Sequence, residues 1–348
     1  MWSGLAQGSP LTMMNPIRVG GLAAACALGA GVLCACVTTP KAAASTLRTA
    51  GLTLAEAQVV VDFFESQQVA PQRSLGTPGD LQGALLVLKS DRIDGFPAAV
   101  TFLGSQEGFD ALALKAQIEL AWGEAELTVA EVLAQTATAL EKNLRGFEQR
   151  KHLSVDDSTK VNGERARILS YRKTDEALRL LAAEHVGHGA EDADRVIAEK
   201  PGDYIGYRIA ADAARLRNEW PEFTANVDKV EAAKPDSNGL NFLRGVEAYM
   251  RDGDAREAAQ HFRDALLGDP SFVRAQAQLV LVAANVFEQH KELLKLKELA
   301  PDHQIVRWAG PGIELAHTAA RARQLAIQNA IRSRSGPGTT PSDIVVPK

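Results

Sequence analysis

The sequence predicts an all-α chain in which helical hairpins repeat, and three observations predict it. Prolines 201, 235, 270 and 301 are spaced by 34, 35 and 31 residues. Each closes a short helical pattern, as proline does by lacking a donor and clashing with the preceding turn. A helix-starting residue follows each one: Asp203, the run Asp236–Ser237–Asn238, Ser271 and Asp302. A period near 34 residues is that of helix–turn–helix units, which stack because one hairpin cannot bury its apolar face alone. Composition agrees. Apolar residues make up 46% and charged residues 23%, an ordinary balance for a folded protein, and the scarce aromatics (5%) leave Ala and Leu dominant. Finally, apolar residues recur at helical spacing from Thr53 onward.

The first 50 residues stand apart from this pattern. Val19 to Val37 carries no charge and follows a lone Arg18, which reads as a secretory signal with a basic start, an apolar stretch and a small-residue end. A membrane-spanning helix is the alternative reading of the same stretch, although its Gly and Ala content gives it little drive to insert. Met13 or Met14 would begin a more typical signal than Met1. All three cysteines (Cys26, Cys34 and Cys36) lie in this region, so no disulfide is expected to hold an exported body together. Leu33–Cys34–Ala35–Cys36 resembles the lipobox of bacterial lipoproteins. That resemblance implies a signal over residues 1–35 and a lipidated Cys36 as the first mature residue, whose acyl chains anchor the protein in a bilayer. Cleavage by ordinary signal peptidase is the competing fate. Val37 after the cysteine, where some families carry Asp, implies the periplasmic face of the outer membrane. Residues 36–50 are small and polar enough for a tether.

An N-terminal helical region is expected over 51–150. Thr53 caps its first helix, with Glu56 three residues later completing a capping box. Residues 69–80 are rich in breakers. A helix then starts at Leu81, and Pro97 opens the next. Phe109–Trp122 and Thr128–Leu144 read as a helical pair joined across Gly123–Glu124. The alternative for this half is a small mixed domain with strands at 85–90 and 98–104. The charged stretch Arg145–Glu164 is the expected domain boundary.

The repeat array is expected over 165–335, ending in a capping helix at Ile313–Ile331 after a break at Pro311–Gly312. Residues 336–348 form a disordered tail by composition. Unit 239–272 resembles a tetratricopeptide repeat. Phe242 takes the early aromatic position, Ala248–Tyr249 the Ala-aromatic pair, Gly253–Asp254 the turn, Ala258 the small residue at the helix crossing, Phe262 the aromatic beyond it, and Asp269–Pro270 the close. Gly245–Val246 departs from the family, which prefers a large residue and then Gly. Unit 204–237 matches more loosely, unit 273–303 has a short turn, and residues 170–203 are a candidate fourth, divergent unit. The resemblance implies a tetratricopeptide-like solenoid of helical hairpins.

Ligands of that family lie in a groove lined by first helices. Carried over, the groove positions are Arg208, Asp212 and Arg215, then Leu243, Arg244, Glu247, Met250 and Arg251, then Arg274, Gln278 and Leu281. Five arginines against two acids suggest a lining for an acidic or carboxylate-ended peptide. The competing account is a solvated face with intrahelical pairs such as Arg208–Asp212 and Glu247–Arg251. His185, His188, Glu191, Asp192 and Asp194 are the metal-like cluster, but Gly187 and Gly189 break up the helix that would fix them. They read instead as a polar inter-helix turn, so no metal is expected. Arg321, Arg323, Arg332 and Arg334 are the cations expected near a helix C-terminus.

Phosphate-loop, nucleophile-elbow and zinc-protease motifs are absent, and no Gly-rich dinucleotide turn follows a strand. With a net charge of −5, nucleic acid is not an expected partner. The expectation is a non-enzymatic lipoprotein without a cofactor, scaffolding envelope proteins or peptides through its groove. The alternative is a small-ligand-binding lipoprotein of the TRAP-transporter T-component type.

Overall fold

The computed structural model describes residues 52–66, 79–149 and 154–334. The residues read as signal, tether and tail, Cys36 among them, lie outside these. Among the described residues there are twelve α-helices and no strand, and no helix is long and apolar enough to cross a membrane. The first three are α1 (Leu54–Ser66), α2 (Leu81–Ser90) and α3 (Phe96–Leu103). The capping box at α1 forms, with Glu56 accepting from Thr53 N at 2.9 Å and Thr53 Oγ1 accepting from Glu56 N at 3.3 Å. Both segments weighed as strands are helical, in α2 and α3.

Two long helices replace several shorter ones expected from the sequence. α4 runs without interruption from Phe109 to Glu148, through the Gly123–Glu124 junction. α5 runs from Val155 to Glu199, so residues 170–199 form part of one helix and make no hairpin. Two of the glycines that suggested breaks, Gly123 and Gly189, serve close approach. A Cβ on Gly123 would lie 2.8 Å from Val186 Cγ2 and 3.0 Å from the Ala182 carbonyl; one on Gly189 would lie 2.7 Å from Leu120 Cδ2. The missing side chains let α4 and α5 pack against each other, a tertiary gain that outweighs glycine's helix penalty of about 1 kcal/mol. Gly187, two residues away, meets nothing within 4 Å. Gly187→Ala is therefore expected to raise stability by about 0.5–1 kcal/mol, and Gly189→Ala to lower it by about 1–2 kcal/mol through overpacking. Urea unfolding of both variants checks this, and equal shifts would refute the close-approach account.

The described parts of the charged stretch, 145–149 and 154–164, close α4 and open α5, and the two helices pack against each other as a hairpin. Arg165 pairs with Glu148 at 2.6 Å and Arg172 with Glu141 at 3.1 Å across that hairpin. One core cluster joins Phe109, Ala116 and Leu120 of α4 to Val186 and Val196 of α5 and to residues of the following helix.

Three helical hairpins follow. They are α6 (Tyr204–Arg217) with α7 (Trp220–Ala233), α8 (Asn238–Met250) with α9 (Ala255–Gly268), and α10 (Val273–Leu281) with α11 (Val286–Leu299). Asp203 and Ser237 cap α6 and α8, as their positions after proline suggested. Ser271 does not cap α10; its N–H and hydroxyl both donate to Asp269, and the helix begins one residue later than a Ser271 cap would place it. The hairpins share a core built on Phe223, Phe242, Ala258, Phe262 and Leu279. Gly245, the position that departed from the repeat pattern, has a steric reason. A Cβ there would lie 2.6 Å from Phe262 Cε1.

After Pro301 the chain does not break at Pro311–Gly312. Residues Ile305–Ala309 form one wide turn, in which Gly310 N–H reaches the Ile305 carbonyl, and this leads directly into α12 (Gly310–Arg334). The wide turn places Pro311 in the first turn of α12, where a missing donor costs nothing. The segment before this turn is tied to the end of α2. His303 Nε2 lies 3.2 Å from Asp91 Oδ2, and Ile93 N donates to Gln304 Oε1 at 3.3 Å.

Candidate polar cleft between the long helix and the hairpins

The candidate groove residues separate into two groups. Arg208, Asp212 and Arg215 of α6 and Arg274 and Gln278 of α10 all turn toward α4. Helical spacing dictates the first set, since positions i, i+4 and i+7 share a face. Arg215, Arg274 and Gln278 share one partner, Glu124, at the junction read from the sequence as a turn, whereas Arg208 donates to Gln117. Glu124 Oε2 accepts from Arg215 Nη2 at 2.6 Å and also from Arg274 Nη2, while its Oε1 accepts from Gln278 Nε2 at 3.2 Å. Asp212 pairs with the same two arginines, Oδ1 with Arg215 Nε at 2.5 Å and Oδ2 with Arg274 Nη2 at 3.1 Å. Both guanidiniums also lie over the Phe242 ring, Arg274 at 5.0 Å and Arg215 at 5.8 Å.

Burial opposes charge on these carboxylates, and the arginines overcome it. For Asp212, desolvation is the largest single influence and raises the pKa, yet Arg215 and Arg274 together hold it at about 2. Glu124 is held below its ordinary value by the same pair against the same opposition. Burial likewise lowers the arginines' pKa values, but Asp212 and Glu124 outweigh it, and both Arg215 and Arg274 end above the ordinary guanidinium value.

This has a consequence in acid. The folded-state pKa of Asp212 lies below its ordinary 3.8. Its contribution is therefore complete above about pH 4 and disappears as pH falls through 3.8 toward 2, amounting to about 2 kcal/mol. Chemical denaturation between pH 5 and pH 2 should show this loss in the wild type. In Asp212→Asn, which starts less stable, that part of the slope should be missing. Identical slopes in the two proteins would rule out Asp212 as its source.

The second group lies on α8 and pairs with α7 and with its own helix. Arg244 donates to Glu247 at 2.7 Å and also to Glu231. Arg251 pairs with Glu247 and, at 2.8 Å, with Asp252. Glu247 is buried, whereas the side chains of Arg244 and Arg251 are 27% and 41% exposed, so only the arginines are accessible from solvent. Met250 and Leu243 pack on the hairpin core, and Leu281 packs on the cluster beneath α12.

Gln117 and Glu124 on α4 escaped the sequence reading. One signal pointed to Glu124 but not to Gln117: five arginines against two acids left positive charge in the array open to pairing with acid from elsewhere in the chain. The metal-like cluster lies within α5, not in a turn. His185 Nδ1 is 2.7 Å from Glu119 Oε2, and its ring stacks on Trp122 with centroids 4.0 Å apart. Among the described residues no group of three or more His, Cys, Asp and Glu side chains is arranged to hold a metal ion. No family model matches this chain, and no curated protein matches it.

Proposed function

We propose that the chain is an exported, lipid-anchored helical-repeat protein that serves as an interaction scaffold at the cell envelope. The observation carrying this reading is the stack of three hairpins on one core, whose first helices already clasp a helix, α4, through Arg215, Arg274, Gln278 and Glu124. Clasping helices or peptides is what stacked hairpins do in tetratricopeptide-like arrays, and the repeat spacing with its matches at unit 239–272 supports that membership. Because α4 fills the central positions, a protein partner has the face beside Arg244 and Arg251 available. The lipobox-like Leu33–Cys34–Ala35–Cys36 supports the anchor.

Capture of the full chain from detergent-extracted membranes, followed by mass spectrometry, tests the scaffold. Recovery of envelope proteins that Arg244→Glu/Arg251→Glu releases is the expected result. Loss of no partner from that variant would overturn the assignment of this face. Cys36→Ser should shift the protein from the membrane to the soluble fraction; continued acylation and membrane retention would refute the anchor.

A second reading is a small-ligand-binding lipoprotein of the TRAP-transporter T-component type. It is favoured by the polar cleft itself, half-buried between α4 and the hairpins and lined by charged groups. A small molecule co-purifying in native mass spectrometry supports it.

A further inference from the structure

The three guanidiniums in the cleft are not equally compensated. Arg215 and Arg274 share Glu124 and Asp212, whereas Arg208 makes one hydrogen bond, from Nη2 to the neutral amide oxygen of Gln117. Among the described residues, Arg208 Nε is buried with no hydrogen-bond partner. Asp91 also acts on Arg274, but its carboxylate is engaged by His303. The cleft thus holds three cations against two committed anions.

The surroundings of Arg208 worsen this imbalance. Its side chain lies along the first turn of α8, where a Cβ on Gly239 would come within 2.8 Å of Arg208 Cδ and 3.5 Å of Nη1. The start of a helix carries positive partial charge, which a cation opposes and an anion complements. Arg274 repels it as well. Burial, the largest influence, lowers the Arg208 pKa, and the attraction of Asp212 and Tyr204 does not restore it, unlike the outcome at Arg215 and Arg274. Arg208 is half-buried with its Nε shielded from water, and a guanidinium so placed without a paired anion is costly.

We propose that this corner of the cleft binds a small carboxylate anion on the Nε–Nη2 edge of Arg208. That edge presents two parallel N–H donors, the geometry that carboxylates take in bidentate pairs. Gln117 now covers half of it. Its Nε2 donates to the Ala113 carbonyl of its own helix, so a side-chain rotation that leaves α4 in place frees Nη2 to act beside the unpartnered Nε. The incoming charge of −1 brings the cleft to neutrality. This inference goes beyond the scaffold reading and does not depend on it, because the partner face lies at Arg244 and Arg251.

The test is thermal unfolding of the full chain in detergent, in acetate against chloride at constant ionic strength. Wild type should show a saturable rise of about 2–4 °C once acetate exceeds its dissociation constant about tenfold. Arg208→Met should melt higher than wild type in chloride and not respond to acetate, because the uncompensated charge has gone. Gln117→Glu, which supplies the carboxylate internally, should do the same. An acetate response in Arg208→Met equal to that of wild type would identify general exclusion from the protein surface and overturn the proposal. So would a flat wild-type response, a destabilised Arg208→Met, or a stronger response to inorganic phosphate than to acetate. Each of these can occur while envelope partners are still captured, so failure here is distinguishable from failure of the scaffold.

Discussion

Glu124→Ala is expected to cost about 3–5 kcal/mol, the range for removing one partner of a buried ion network. Glu124 accepts from Arg215, Arg274 and Gln278 at once, and its carboxylate is 15% exposed while Arg215 is only 5% exposed. Without it, two guanidiniums share Asp212 alone, with Arg215 only 5% and Arg274 only 16% exposed. Glu124→Gln keeps the shape and one acceptor, so it should recover part of the loss but leave the charge unmatched. Equilibrium urea unfolding measures both. A loss below about 1 kcal/mol for Glu124→Ala, as found for exposed ion pairs, would show that the network does not hold α4 to the hairpins.

Phe262→Ala should cost a comparable amount, about 3–5 kcal/mol. Phe262 is fully buried where α8 and α9 cross, and its ring lies 5.7 Å from that of Phe242. The more specific expectation concerns its neighbour. In the wild type, Gly245→Ala drives a Cβ into the Phe262 ring and should cost about 1–3 kcal/mol. With Phe262 already truncated, the same methyl enters the vacated space and the cost should vanish. The double-mutant cycle is therefore predicted to show a coupling of about 1–3 kcal/mol. Additive effects would mean that the two residues do not meet as described.

Much of the hairpin region was legible because its signals are local. Asp203 and Ser237 announce helix starts by side-chain chemistry that acts within three residues. Phe242, Ala258 and Phe262 recur at spacings set by helix geometry, and all three lie in the shared core. The long helices were not legible, for a related reason. Gly123, Gly187 and Gly189 lower helix propensity wherever they occur, and a single sequence does not reveal which of them meets a close neighbour. Only the approach of Leu120 to Gly189, and of Val186 to Gly123, distinguishes a packing glycine from a breaker. The repeat spacing grouped Arg215, Arg274 and Gln278 on one face, but it also included Arg244 and Arg251, which pair with α7 and their own helix instead. It could not reveal that Glu124, 150 residues before Arg274, occupies that face.

The placement of α4 also bears on how the molecule comes apart. In an array where each hairpin touches only its neighbours, units can melt one after another from the ends, and stability is a sum of nearest-neighbour terms. Here one helix is bonded to α6 through Arg208 and Arg215 and to α10 through Arg274 and Gln278, so it acts as a splint between the first and third hairpins. Fraying of the last hairpin then releases contacts made by the first. Hydrogen exchange should find the amides of α6 and α10 opening together in one concerted event, not in graded steps along the chain.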